Sequence, residues 1–280
     1  MIAKVREFIL EDRRQAIYDV CNRIVLSYRS YQSILADELK VRRIAPKFVS
    51  RLLNNDQRDH WVQLCTELQK AVGNDPNFLS RVITGDESWV YHYDPETKQQ
   101  STQWRTPSSP QPKKARQVRS NIKSMLIIFL DIRGIVHKEF VSPGQTVNGK
   151  FYCEVLRRLR ENVRRKRSEM WKNGNWLLHH APAQTSLVVR EFLTKNNVTT
   201  VPHPAYSPDL VPCDFFVFPK MKLRLKGRFF TSIEEVQAES QQILNTLTPA
   251  DFNECFQKWQ NCWDRCIQAQ DDYFKGDGGN

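Results

Sequence analysis

The 280-residue chain has no run of about 18 apolar residues, which excludes a helix long and apolar enough to cross a bilayer. Its first residues, Met1-Ile-Ala-Lys-Val-Arg-Glu7, lack the apolar core of a secretory signal, so none is expected. Seven cysteines make an odd number in no tight spacing. That argues against a disulfide framework and for a reduced intracellular compartment. No internal repeat is visible. Acid is scarce in places. Residues 97–130 hold seven Lys/Arg and no Asp or Glu, and residues 215–233 hold five with none. Residues 157–172 hold eight against Glu161 and Glu169.

The whole chain carries 42 Lys+Arg against 31 Asp+Glu, a net +11. One basic cluster is ordinarily a solvated face. Three in one chain shift the expectation toward a polyanionic partner, nucleic acid. The crowded run Arg157 to Arg167 suits a DNA-facing helix, a nuclear import signal or a solvated face, and the residues do not decide among them.

Residues 12–24 space Ala16, Ile17, Val20, Cys21 and Ile24 along one helical face. Val25-Leu-Ser27 is a tight break with Ser27 a plausible N-cap, and a second helix follows over 30–39. Two short helices joined this way match a helix-turn-helix, whose second helix enters the major groove. The candidate readers are Tyr28, Arg29, Ser30, Gln32 and Ser33. Most pairs of short helices bind nothing, so the bare pattern by itself favours a purely structural role.

Residues 40–53 are basic, include Arg42 and Arg43, and are broken by Pro46, which reads as a linker. An amphipathic helix is expected over 55–72. From residue 79 the pattern changes. Leu79–Thr84 is a short apolar run ending at Gly85-Asp86. Strands are expected over 124–131 and 134–141 around a hairpin turn, then over 175–179 and 198–201. Helices are expected over 148–167, 186–196, from 209 onward, and over 232–247 and 249–274. A hairpin start followed by alternating elements predicts an α/β fold with a mixed sheet. The Pro-rich stretch 106–114 cannot be a central strand and should project as a loop. Cys255, Cys262 and Cys266 fall at helical spacing among Phe252, Phe256, Trp259 and Trp263. With no histidine beside them, apolar packing is expected in preference to zinc.

The chemistry concentrates on two carboxylates. Asp86 sits after a buried strand with Glu87 beside it. Asp214 opens a helix at the end of Tyr206-Ser-Pro-Asp-Leu-Val-Pro-Cys-Asp214. Carboxylates at the ends of strands in an open α/β sheet converge on one edge, where two or three can hold Mg²⁺ for in-line phosphoryl transfer. A lone Asp at a strand end more often caps a helix, and Asp209 and Asp214 both precede helical stretches. Between the two ends, Trp176-Leu-Leu-His-His-Ala-Pro-Ala-Gln184 has the surroundings of a third carboxylate without one.

These blocks resemble those of mariner-type transposases. Val82-Ile-Thr-Gly-Asp-Glu-Ser-Trp89 matches the family's first catalytic block, and Tyr206–Asp214 matches its third. Lys47-Phe-Val-Ser-Arg51 is similar to the interdomain motif, with Phe48 and Ser50 where Trp and Pro are usual. The resemblance covers the whole chain. It is most similar to the mammalian mariner lineage that also supplied the transposase half of a histone-methyltransferase fusion.

The resemblance implies an all-α N-terminal helix-turn-helix followed by an RNase H-like mixed-sheet catalytic domain. It divides the chain into a second helix-turn-helix over 1–40, a linker and helix over 41–77, and the transposase domain over 78–280, with a clamp loop near 95–120. It implies cut-and-paste transposition by a homodimer in the nucleus, on double-stranded DNA at terminal inverted repeats. No membrane and no small-molecule substrate are involved. Asp86 and Asp214 would be the catalytic ligands of Mg²⁺ or Mn²⁺. Arg29, Ser30, Gln32, Ser33, Arg42, Arg43, Lys113, Lys114, Arg116 and Arg119 would contact DNA.

The chain departs from the pattern twice. The family begins with a further helix-turn-helix, which this sequence lacks. The family's middle block also reads Leu-Leu-His-His-Asp-Asn-Ala-Pro-Ala-His, whereas here His180 runs straight into Ala181. Restoring an Asp-Asn pair would put Asp at 181 and the third Asp at 216, with the family's 34 residues between. Deletion therefore accounts for the gap better than substitution, and cleavage is expected to be strongly impaired. His179 and His180 are poor replacements, because neutral imidazole suits transition metals better than Mg²⁺. The other reading is a DNA-binding or dimerisation remnant that keeps the fold without the reaction.

Overall fold

A computed structural model describes residues 1–13, 15–42, 49, 51–106, 108–180 and 186–269. Arg43, Ala181 and the interdomain residues Lys47, Phe48 and Ser50 lie outside the described residues, so the expectations placed on them are not tested. The chain forms two compact units, Met1–Ser50 and Arg51–Asn280.

The first unit is helical. Helices α1 (Ile2–Glu11), α2 (Ile17–Ile24) and α3 (Tyr28–Ser33) enclose Val5, Val20, Cys21, Ile24 and Tyr31. The α1 helix was not anticipated, since its apolar residues are interrupted by Lys4, Arg6 and Glu7 and only Val5 is buried. The expected helix over 12–24 is shorter at its start, and Ala16 serves as its N-cap. Val25 takes the left-handed conformation (φ 54°) that ends α2. Ser27 caps α3, its Oγ accepting from the Ser30 amide at 3.1 Å. A π-helical turn over Ile34–Glu38 continues α3. Two helices around a tight break are present as the spacing predicts.

The second unit is built on a five-stranded sheet of order β3-β2-β1-β4-β5. The strands are β1 (Val82–Tyr91), β2 (Lys123–Asp131), β3 (Gly134–Phe140), β4 (Leu177–His180) and β5 (Thr199–Val201). Strands β1 to β3 pair antiparallel, while β4 and β5 run parallel to β1. The sheet is mixed, as the hairpin-then-alternation pattern requires. The helices are α4 (Asn55–Asn74), α5 (Gly149–Lys166), α6 (Ser168–Asn173), α7 (Leu187–Lys195), α8 (Phe218–Leu225), α9 (Ile233–Asn245) and α10 (Pro249–Gln268).

Strand alternation sends Ile83, Ile127 and Phe129 to one face, where they meet Leu156, Leu159 and Val163 of α5 and Val189 and Leu193 of α7. Residues 51–77 belong to this unit, and α4 packs on α10. Cys255, Cys266, Phe256, Trp259 and Trp263 on α10 are almost wholly buried, so these cysteines pack as core residues. Residues 218–225 are helical, with a turn following. The period-two pattern over 220–228 did not make a strand, because Phe218, Met221 and Leu225 recur at helical spacing and are buried. Between β1 and β2 the chain is largely irregular, and Trp104 stands fully exposed on it.

The β2–β3 turn depends on Gly134, whose φ of +139° favours glycine. Behind it Asp131 is fully buried and takes a two-pronged contact from Arg167, at 2.5 Å through Nε and 2.9 Å through Nη2. This ties the end of α5 to the hairpin.

Candidate active site

Asp86 does not sit after a strand, as expected, but inside one. The apolar run ends at Gly85, yet β1 continues to Tyr91 because β2 pairs with it all the way from Thr84 to Tyr91. Only the parallel partner stops early: β4 pairs Val82 to Gly85 and ends at Gly85↔His180. Asp86 is therefore the first residue of β1 past its parallel neighbour, and the sheet opens there. Gly85 is required for close packing. An added Cβ would stand 2.2 Å from Cδ1 of Phe129, its cross-strand partner.

Asp214 reaches the same place from a π-helical turn over Cys213–Val217 that leads into α8. Its amide donates to the Val211 carbonyl at 2.9 Å. The turn is held from below by α10. Cys255 Sγ points at the Pro212 carbonyl, and Trp259 Nε1 donates to the Leu210 carbonyl at 2.8 Å. Beneath it His179 contacts Thr84 at 3.0 Å and lies edge-on to His203, ring centres 4.9 Å apart.

The Asp86 and Asp214 carboxyls share a hydrogen bond. Asp86 Oδ1 also accepts from the Glu87 amide at 2.8 Å. Burial foremost, then the charges of Asp214 and Glu87, push the Asp86 carboxyl up to about 9. Two acids in one recess cannot both ionise cheaply without a cation. Tyr152 of α5 closes one side, its hydroxyl pushed well up by burial and then by Glu87 and Asp86. Lys222 of α8 stands on the other. Its Nζ donates to Ser88 Oγ at 2.6 Å, and burial lowers its pKa against the opposing pull of Asp214. Tyr152 and Lys222 were not singled out from the sequence. Lys222 had a signal, since it lies eight residues beyond Asp214 in the basic helix α8 that follows the Asp214 turn.

This geometry tests the donor set for a metal. Two facing carboxylates that share a proton suit a hard dication, which needs only one or two such ligands beside water and phosphate oxygens. Among the described residues no group of three or more His, Cys, Asp or Glu is arranged to hold a metal ion. The pairing of β4 with β1 runs to Gly85↔His180, and the residue that follows in the sequence is Ala181, which carries no carboxylate.

The residues expected to touch DNA fall in three places. Arg29, Ser30, Gln32 and Ser33 are exposed on α3. Ser30 and Ser33 hydroxyls are engaged within the helix, with Ser27 and Asp37. Arg42 is exposed beyond it. Lys113, Lys114, Arg116 and Arg119 are exposed between β1 and β2, where Lys114 pairs with Glu96 and Arg119 with Asp94. The basic run on α5 is also partly neutralised, through Arg157–Glu154, Arg158–Glu139, Arg164–Glu161 and Arg167–Asp131.

The family model described as a transposase, partial DDE domain, matches residues 94–173. Mariner Mos1 transposase of Drosophila mauritiana is 27% identical over 276 residues, covering 98% of this chain and 79% of that protein. The human histone-lysine N-methyltransferase SETMAR is 22% identical over 273 residues, covering 97% of this chain but 39% of that protein. The crystal structure of the Mos1 mariner paired-end complex with Mn superposes with a TM-score of 0.83 at 27% identity, over 98% of this chain and 80% of that one. The corresponding complex with Mg gives 0.82 at the same identity and coverage. With a helical N-terminal unit, a mixed-sheet second unit and this likeness along nearly its whole length, the chain resembles mariner-type transposases of the Tc1/mariner group.

Proposed function

We propose that the chain binds duplex DNA at transposon ends as a mariner-type protein, and that its cleavage chemistry is impaired by the loss of one carboxylate. The observation that carries this reading is the Asp86–Asp214 pair, with Asp86 on β1 one residue past that strand's last pairing with β4 at Gly85↔His180, together with a sequence that has Ala181 directly after His180. Asp86 and Asp214 would hold Mg²⁺ or Mn²⁺, the metals named for the Mos1 complexes. A bound dication supplies an activated water and neutralises the phosphate undergoing attack. The protein's own part is to place the acids. The Gly85–Phe129 contact fixes the level of Asp86, and α10 fixes the turn that carries Asp214. Tyr152 and the Phe129 side of the sheet limit water behind the pair, and Lys222 moderates its negative charge.

The same reading assigns DNA contact to Arg29, Gln32 and Arg42 in the first unit, and to Lys113 and Arg116 on the loop after β1. It assigns residues 1–40 to a helix-turn-helix, 41–77 to a linker and helix, and 78–280 to the catalytic fold. It also implies a homodimer acting in the nucleus. The remnant reading, DNA binding without cleavage, is favoured by the absence of a third ligand among the described residues.

One experiment separates them. The chain and a variant with Asp-Asn inserted between His180 and Ala181 are titrated with Mg²⁺ on terminal-repeat DNA, with binding and nicking scored separately. Binding by both, with nicking only by the insertion variant and lost again on Asp86→Ala, supports an impaired transposase. Nicking by the unaltered chain that Asp86→Ala abolishes refutes the impairment. Binding with no nicking by either supports the remnant.

A further inference from the structure

A recess of about 420 Å³ lies between the β2–β3 turn, the end of α5 and the α9–α10 junction. Leu244 and Phe252 form its apolar floor, and four cationic side chains, Arg133, Lys138, Lys166 and Arg167, line it with no acidic residue among the lining. Asp131 lies behind them, in a two-pronged contact with Arg167 and 3.7 Å from Arg133. Four cations less this one carboxylate leave three positive charges in one partly buried spot.

The two lysines carry the argument. Among the described residues neither makes an ion pair. Lys138 Nζ donates to Asn245 Oδ1 at 2.7 Å and Lys166 Nζ to the Val136 carbonyl at 2.8 Å. Each ammonium has three donors, so these neutral acceptors leave further donors directed elsewhere. The lysines also oppose each other. Burial lowers the pKa of both, and Lys166 lowers that of Lys138 further. A partly buried group of like charges is stabilised when an anion with several acceptor oxygens enters it. A tetrahedral anion suits the arrangement better than a planar carboxylate, because the donors come from a turn, a strand and a helix end rather than from one plane.

We propose that this recess is a phosphate-binding site, separate from the acid pair, and that it takes a backbone phosphate of duplex DNA. Lys138 lies on β3 and Asp86 on β1, with β2 between them, and no residue of the acid pair lines the recess. A duplex engaged here would be gripped along the hairpin side of the sheet, with positioning rather than sequence reading as the result.

The test uses the full chain and needs no cleavage, so its failure is distinct from failure of the acid-pair reading. Melting temperature is measured with inorganic pyrophosphate against a chloride control of matched ionic strength. The unaltered chain should be stabilised by pyrophosphate beyond the control, and the double variant K138Q/K166Q should lose that shift. Arg133→Gln alone, at a half-exposed side chain, should weaken pyrophosphate binding several-fold without altering the melting temperature in chloride, which covers the case of a double variant that folds poorly. No shift in the unaltered chain, or a shift in Arg133→Gln and the double variant as large as that of the unaltered chain, overturns the site. A second arm follows duplex DNA affinity against salt. Loss of one phosphate contact lowers the log–log slope by about 0.9. A fall of that size in the variants identifies DNA as the source. An unchanged slope with a lost pyrophosphate shift supports the site and assigns it to a free phosphate.

Discussion

Replacing Asp86 by Asn should make the metal-free protein more stable at neutral pH. The Asp86 carboxyl rises from 3.8 to about 9 in the fold. The sign follows from proton counting. Between those values the unfolded chain has released the proton and the native chain still holds it. Stability is then greatest below pH 3.8 and falls as pH rises toward 9. The slope for one whole proton is about 1.4 kcal/mol per pH unit, or about 3 kcal/mol between pH 5 and 7.5. The proton is shared with Asp214, and the recess is partly open to water, so about half of that, roughly 1.5–2 kcal/mol, is the working figure. For a chain of this size that corresponds to about 4–6 °C in melting temperature. Asn keeps the shape and an amide that can donate to Asp214, but it does not titrate. The melting temperature of the unaltered chain should therefore drop between pH 5 and 7.5 by that much more than the variant's. Mg²⁺ at pH 7.5 should raise the unaltered chain and leave Asp86→Asn nearly unmoved. Parallel melting curves across this range would show that the two carboxyls do not share a proton, and the account of the recess would be wrong.

Gly85→Ala should cost about 1–3 kcal/mol in urea unfolding, because the new methyl meets the fully buried Phe129 ring at 2.2 Å; pairing it with Phe129→Leu should recover part of the loss. Arg167→Met leaves Asp131 buried without its main partner and should cost about 3–5 kcal/mol, with the double variant Asp131→Asn/Arg167→Met less damaged than the single one. Thr248 caps α10 by accepting from the Asp251 amide, so Thr248→Ala should lower stability by about 1 kcal/mol, read as a lower urea midpoint at unchanged slope.

The mixed sheet was legible because its elements carry local signals. The continuous apolar run of β2, the turn at Gly134, and the apolar stripe of α10 each depend on residues near one another in sequence. The α1 helix was not legible, since only Val5 of its ten residues is buried. The extent of β1 was also hidden. Beyond Gly85 the strand reads as Asp-Glu-Ser-Trp, with no apolar run, and it persists only because β2 supplies hydrogen-bond partners up to Tyr91. The basic helix α5 looked like a free cationic face, but Glu139 and Asp131 arrive from other elements and take up Arg158 and Arg167.

By itself the sequence carried the resemblance to mariner-type transposases and the positions of Asp86, Asp214 and the carboxylate-free stretch after His180, because these are matters of residue identity and spacing. Only the tertiary structure decided that Asp86 and Asp214 share one recess, that Tyr152 and Lys222 border it, and that Lys138 and Lys166 face one cavity. Hydrogen bonding and charge interaction depend on separations of a few ångströms, and residues 128 apart in the chain, such as Asp86 and Asp214, are brought that close only by sheet pairing and helix packing.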